Sequence, residues 1–273
     1  MLPLVLTFPN IDPVLFSIGP LSVKWYGLAY AAGLLLGWAY VRRLLLDMKL
    51  WPPGGAPFST DKADDLLLYM TLGVVLGGRL GYVLFYNPAF YAANPLDILA
   101  VWNGGMSFHG GFLGSIAAIV YFAHRNGVNP LSVLDLAAAA TPLGLLFGRL
   151  ANFINAELWG RPSNVPWSMV FPGAGPEPRH PSQLYEASLE GLALFLICGW
   201  LITRRDALKS PGLVAGVFTA GYGIARSLCE VFREPDFAHW ATFGPMTAGI
   251  LYSLPMIAAG VVLVQRARSA AHA

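Results

Sequence analysis

Long apolar runs alternate with short polar stretches along almost the whole chain. A membrane span needs about 20 predominantly apolar residues. Reading for that length predicts seven helices: Tyr26–Leu46, Leu66–Tyr86, Phe108–His124, Leu131–Leu150, Gln183–Thr203, Gly212–Val231 and Pro245–Val264. The third is short for a span, and the fourth contains Pro142. No repeat of fixed period and no low-complexity linker divides the series. The chain therefore reads as one all-α domain, residues 1–273, a polytopic integral membrane protein of seven transmembrane helices. Between spans 4 and 5, residues about 151–182 break the apolar pattern. Gly160–Pro181 is rich in Pro, Gly and Trp, which predicts a small cap outside the membrane.

Composition strengthens that reading. Of 273 residues, 56% are hydrophobic and only 12% are charged, where a soluble domain carries about 25% charge. Cys198 and Cys229 both lie inside apolar segments, so they read as packing residues and imply no disulfide framework. A net charge of +2 is too mild to argue for nucleic acid. The opening MLPLVLTFPNIDP lacks a basic n-region and a small-residue cleavage site, so it does not read as a removable signal peptide.

Lysine and arginine set the orientation, because cytoplasmic loops carry their excess. Arg42, Arg43, Lys49 and Lys62 follow the first span, Arg125 the third, Arg204, Arg205 and Lys209 the fifth, and Arg266 and Arg268 the seventh. These ten of seventeen basic residues fall on one side, whereas Asn87–Ser107 carries none. The N-terminus is therefore expected outside and the C-terminus in the cytoplasm. Under this topology six polar stretches converge on the outer face. They are Lys24–Gly27, the region of Arg79 and Tyr82, Ser107–Gly111, Gly148–Pro162, His180–Glu186, and the end of the sixth span.

Candidate chemistry concentrates in those stretches. Tyr222, Arg226, Glu230 and Arg233 stand at i, i+4, i+8 and i+11, one face of a helix. A charge at the bilayer centre costs roughly 2.5–3.5 kcal/mol on the insertion scale, so such residues mark a site or a buried ion pair that fixes packing. Gly148–Pro162 reads GRLANFINAELWGRP and carries Arg149, Asn152, Asn155, Glu157 and Arg161. The planar guanidinium fork suits phosphate; the alternative for Arg149 is an interfacial anchor that snorkels to headgroups. His109 lies between Phe108 and a Gly-Gly pair and can act either as a proton carrier near neutral pH or as a hydrogen-bonded structural residue. Arg79 in Gly77–Gly81 is open between a packing role and a secondary role in the site. HExxH, Cys/His clusters, a Gly-x-Ser-x-Gly elbow and a Walker loop are all absent. What remains is a metal-free site built from Arg, His and polar side chains.

Four ordered motifs then carry a resemblance. SFHGGFLG at Ser107–Gly114, GRLANFINAELWGRP at Gly148–Pro162, HPSQLYEA at His180–Ala187 and YGIARSLCEVFREPD at Tyr222–Asp236 resemble bacterial prolipoprotein diacylglyceryl transferases. The likeness runs from KWYGL at Lys24–Leu28 to the end of the last span; its one departure is Lys24, where arginine is expected. The resemblance implies a seven-span enzyme of the bacterial plasma (inner) membrane with its active site on the periplasmic side. It implies transfer of a diacylglyceryl group from phosphatidylglycerol to the lipobox cysteine of preprolipoproteins, with a thioether and glycerol 1-phosphate as products. The partners are then phosphatidylglycerol, the lipobox-containing signal peptide and membrane lipids, and no metal or organic cofactor is implied. By the same resemblance Arg149 and Arg226 hold the phosphate, and Glu230 orients an arginine or accepts a headgroup hydroxyl. His109 is the candidate base. Tyr26 and Asn152 position the headgroup, and Glu157, Gly160, Arg161, Tyr222 and Arg233 complete the substrate-binding set, with Gly160 serving the backbone. Two rival readings predict other outcomes: a non-catalytic lipid transporter, or a phosphodiesterase that uses water on the same headgroup.

Overall fold

The computed structural model describes residues 6–9, 11–19, 21–234, 242–243 and 246–271. Seven long helices run through them: α1 (Trp25–Leu46), α2 (Lys62–Phe85), α3 (Phe108–Asn126), α4 (Pro130–Ile154), α5 (Ser182–Arg205), α6 (Leu213–Glu230) and α7 (Ala248–Ala271). Each coincides with one expected apolar run. Pro245, the expected start of the last run, lies outside the described residues, as do residues 1–5, Asn10, Pro235 and Asp236. Four of the helices, α2, α4, α5 and α7, are long and apolar enough to cross a membrane, so the chain is an integral membrane protein. The shorter and more polar-tipped α1, α3 and α6 have 22, 19 and 18 residues.

Helix ends follow local chemistry. Ser107 caps α3, accepting from the Gly110 amide at 3.2 Å, and Gly127 in the left-handed region at φ 64° ends it. Asn129 accepts from the Leu131 amide at the start of α4. The start of α6 is capped from another helix. The buried carboxylate of Asp135, on α4, accepts from the amides of Gly212 and Ala215 at 2.7 and 2.8 Å. Those amides have no intrahelical partner, so the carboxylate supplies one and meets the positive end of the helix dipole.

The all-α expectation needs amending in one respect. Short two-stranded ribbons accompany the helices: Val14–Ile18 pairs antiparallel with Leu21–Lys24, Thr242–Phe243 pairs antiparallel with Met246–Thr247, and Leu6–Thr7 runs parallel to Met169–Val170. These strands are too short to leave a periodicity in the sequence.

The chain divides into two compact units, Met1–Val41 with Asp135–Ala273, and Arg42–Leu134. In the second, α2 and α3 pack through glycines. A Cβ on Gly81 would stand 2.9 Å from the Gly110 Cα, and one on Gly77 would stand 2.8 Å from the Gly114 Cα. Small residues at four-residue spacing let two helix backbones approach this closely. In the first unit Gly33 of α1 faces Gly144 of α4 in the same way. Its non-helical stretch after α4 folds around an aromatic nucleus in which Phe8 lies 5.2 Å from both Phe153 and Phe171.

Candidate functional site

Three arginines and three glutamates meet inside the first unit. Glu186, fully buried near the start of α5, is the hub. Its Oε1 accepts from Arg226 Nη1 at 2.8 Å and from Arg233 Nη1 at 3.1 Å, while its Oε2 lies 2.9 Å from Arg149 Nε. Glu190, one turn on and also fully buried, pairs with Arg149 Nη2 at 3.4 Å. Glu230 pairs with Arg226 Nη2 at 2.7 Å. Several of these pairs are close without good hydrogen-bond direction: Glu186 Oε2 and Glu230 Oε2 sit within ion-pair distance yet accept no well-aligned bond. Distance suffices for Coulombic attraction, and in a low-dielectric interior that attraction is large. Glu190 Oε1 is buried with no hydrogen-bond donor among the described residues.

The backbone explains the convergence. Arg226 and Glu230 sit one turn apart on α6, and Arg149 lies near the end of α4. Between them α5 widens into a π-helical stretch, Ala187–Ala193. Such widened turns are rare and frequent at functional sites. Gly191 within it lets the backbone approach α4, since a Cβ there would stand 2.7 Å from the Leu146 Cα. Space for the Glu230 carboxylate comes from α7, where a Cβ on Gly249 would lie 2.5 Å from it. The side chains of Arg149 and Arg226 are each 16% exposed, whereas the Glu186 they share is fully buried.

A second chain of contacts lies on the same unit. Asn152, a helical turn beyond Arg149, donates to Glu157 Oε1 at 2.7 Å. Tyr26 on α1 shares a hydrogen bond with Tyr30, Oη to Oη 3.1 Å, and its hydroxyl lies near Asn152. Glu157 is held in a turn where Ala156 and Leu158 adopt left-handed backbones at φ 52° and 58°. Gln183 Nε2 donates to the Glu157 carbonyl at 2.7 Å, and Ser182 Oγ to that of Leu158 at 3.0 Å. The motif HPSQ thus fixes the motif NFINAE.

Gly160 stands where backbones pass closely. A Cβ there would stand 2.5 Å from the Phe232 carbonyl and 2.7 Å from His180. Arg161 Nε donates to the Arg233 carbonyl at 2.9 Å. Arg233 itself is buried on Glu186. Tyr222 is half-buried on the same helix as Arg226.

An apolar cavity of about 380 Å³ is lined by Val165, Leu189, Leu228, Cys229 and Phe232, the last four being neighbours in sequence of the cluster residues Glu190, Glu230 and Arg233. One wall is polar: His180 Nδ1 lies 3.0 Å from Tyr185 Oη, which accepts from Trp167 Nε1 at 2.6 Å. Partial burial holds the His180 pKa below the ordinary imidazole value, which favours the neutral ring in that contact. Among the described residues no three His, Cys, Asp or Glu side chains are arranged to hold a metal ion.

Four of the six polar stretches therefore meet in one unit: those of Tyr26, Arg149, His180 and Arg226. The other two belong to the second unit. There Gly110 packs on Gly77 and Gly81, the Ser107 amide donates to the Gly78 carbonyl at 2.8 Å, and His109 is exposed in the first turn of α3. Arg79 is buried there among backbone carbonyls.

Glu186 and Glu190 were absent from the expected site. Their signal is the one that marked Arg226: a carboxylate within an otherwise apolar run of span length.

The family model described as prolipoprotein diacylglyceryl transferase matches residues 13–266. A phosphatidylglycerol–prolipoprotein diacylglyceryl transferase of Rhizobium meliloti (strain 1021) is 54% identical over 98% of this chain and 96% of its own length. A protein of the same name from Methylocella silvestris is 56% identical over 96% of each chain, and one from Beijerinckia indica is 56% identical over 98% of each. The chain belongs to the prolipoprotein diacylglyceryl transferase family.

Proposed function

We propose that this transferase moves the diacylglyceryl group of phosphatidylglycerol onto the lipobox cysteine of a preprolipoprotein. The sulfur of the cysteine attacks the glyceryl methylene, a C–S bond forms, and the C–O bond to phosphate breaks. The products are a thioether and glycerol 1-phosphate. The phosphate oxygen gathers negative charge as it leaves, and preorganised donors aimed at that charge are the strongest aid a site can give.

One observation carries this assignment. Arg149 and Arg226 approach from two helices, are both held by the Glu186 carboxylate, and keep partly exposed side chains. Each guanidinium has five N–H donors, and the carboxylates occupy only part of them. The remainder can meet phosphate oxygens without rearrangement. With three glutamates beside three arginines, the cluster is balanced and its two phosphate-facing arginines are held in place. Packing and substrate binding thus coexist, with Glu186 as the positioning residue and Glu230 orienting Arg226. Tyr26, Asn152 and Glu157 position the glycerol headgroup, with Tyr222, Arg161 and Arg233 around them. His109 is assigned as the base that takes the thiol proton, since a free thiol near pKa 8.5 is a poor nucleophile at neutral pH.

We further read the seven helices as seven spans of the bacterial plasma membrane in a single domain. The N-terminus lies outside, the C-terminus is cytoplasmic, and the stretch 151–182 is a periplasmic cap beside the site. The bias of ten basic residues to one set of helix ends supports this orientation.

The test is incubation of purified protein with phosphatidylglycerol labelled in its acyl chains and a lipobox peptide. Label should reach the peptide only when its cysteine is present. Headgroup release without an acceptor would instead favour the phosphodiesterase, and no turnover at all would favour the transporter.

A further inference from the structure

The segment between α2 and α3, residues 86–107, holds three short helical turns: Pro88–Ala93, Pro95–Leu99 and Val101–Asn103. Its position in sequence suggests an aqueous loop, yet its surface is apolar. Leu96, Leu99 and Trp102 are 81%, 71% and 79% exposed, and Phe108 at the start of α3 is 76% exposed. Asp97 is the segment's single charged residue.

Many of its backbone polar groups are bonded within the protein. Arg79, buried on α2, donates through all five N–H positions. Nε reaches the Ile98 carbonyl, Nη1 those of Gly104 and Gly105, and Nη2 those of Asp97 and Ala100, at 2.5–3.2 Å. Tyr91 lies under the guanidinium at 5.1 Å. The segment's own turns occupy the amides of Asn94, Asp97, Ala100, Asn103 and Gly104. Irregular backbone is tolerated at hydrocarbon depth only where its N–H and C=O groups are bonded within the protein.

The segment also follows directly in sequence from an exposed apolar helix face. Leu72, Leu76, Leu80 and Leu84 form an i, i+4 stripe on the membrane-crossing α2, each 46–62% exposed, and the stripe runs directly into Phe85 and Tyr86.

We propose that residues 86–107 form a membrane-embedded interfacial element. Leu96, Leu99 and Trp102 sink into the acyl region of the lipid, and Arg79 acts as the internal donor that makes this possible. The proposal rests on the chain being an integral membrane protein and is independent of the reaction it catalyses.

Nitroxide accessibility tests it. The full chain, with Cys198→Ala and Cys229→Ala, is reconstituted in phosphatidylglycerol–phosphatidylcholine vesicles with single labels at Leu96→Cys, Leu99→Cys or Trp102→Cys. Leu76→Cys on α2 serves as the lipid control and Glu177→Cys as the water control. The expected result is oxygen collision at the three sites matching Leu76→Cys, with an oxygen-to-nickel ratio several-fold above that of Glu177→Cys. Nickel access equal to Glu177→Cys while Leu76→Cys remains lipidic overturns the proposal. Shielding from both reagents points to protein cover and also overturns it. Nickel access at Leu76→Cys defeats the membrane reading on which the proposal rests. In the native-arginine background no folding defect confuses these outcomes; a second variant, Arg79→Met, should raise nickel access at Leu99→Cys several-fold.

Discussion

Two regions of this protein bury arginine, and they do so by different means. In the first unit Arg149, Arg226 and Arg233 are met by the carboxylates of Glu186, Glu190 and Glu230. In the second, Arg79 is met by five backbone carbonyls. Carboxylates cancel charge and leave N–H donors over on Arg149 and Arg226, so those two can still take an anion. Carbonyls exhaust the donors, so Arg79 has nothing left to offer a substrate. A buried arginine thus declares its role by what remains of its fork, more than by its presence in an apolar helix.

Predictions follow from pressing on each side of that contrast. Arg149→Ala and Arg226→Ala should each lower the transfer rate by about 10²–10³-fold or more, the loss expected when a donor to developing charge is removed. Label transfer per folded molecule measures this. Replacing the base comes next. General-base catalysis contributes about 10²–10⁴-fold, so His109→Gln should fall near the lower end of that range and lose the acid limb of the pH–rate profile. Survival of both rate and profile would make His109 structural.

Glu186→Gln keeps the volume but leaves three guanidiniums short of charge. Breaking a buried ion pair by removing one partner costs about 3–5 kcal/mol, so thermal unfolding in detergent should shift down markedly, with activity falling as the arginines lose their placement. Arg79→Met should also destabilise, since each buried carbonyl left unbonded costs about 1–3 kcal/mol. Here, however, the molecules that do fold should keep their turnover. Arg79→Lys should rescue little, because an ammonium has three donors for five carbonyls. At the small end, Arg205→Ala removes an exposed guanidinium lying 4.9 Å over Trp200. It should change stability by no more than about 0.5 kcal/mol and leave transfer unaffected.

How much of this was legible in the sequence depends on the kind of contact. All seven long helices were readable, because each grows from a long apolar run in the sequence. The ribbon Val14–Ile18 with Leu21–Lys24 was not, because strands of five and four residues are too short to show a period. Arg226 with Glu230 was readable from helical spacing alone. Their link to Arg149 was not, because Glu186 joins them across three helices and no spacing rule reaches that far. The π-helical stretch around Glu190 has no sequence period of its own. Arg79 stayed ambiguous for a related reason: its partners are main-chain oxygens, which every residue carries. The partners of Arg161 and Arg233, both in the proposed substrate-binding set, were also not readable. The structure engages Arg161 with a backbone carbonyl and Arg233 with Glu186.

The central claim is that the leftover N–H donors of Arg149 and Arg226 hold the phosphate of the lipid. Transfer by Arg149→Lys and Arg226→Lys tests it most directly, measured at saturating phosphatidylglycerol and normalised to folded protein. Lysine preserves the positive charge but not the planar fork. The account predicts a loss of about 10²-fold in each, on the scale of a removed transition-state donor. Rates close to those of the unmodified protein would mean that charge alone suffices and that the fork geometry plays no part.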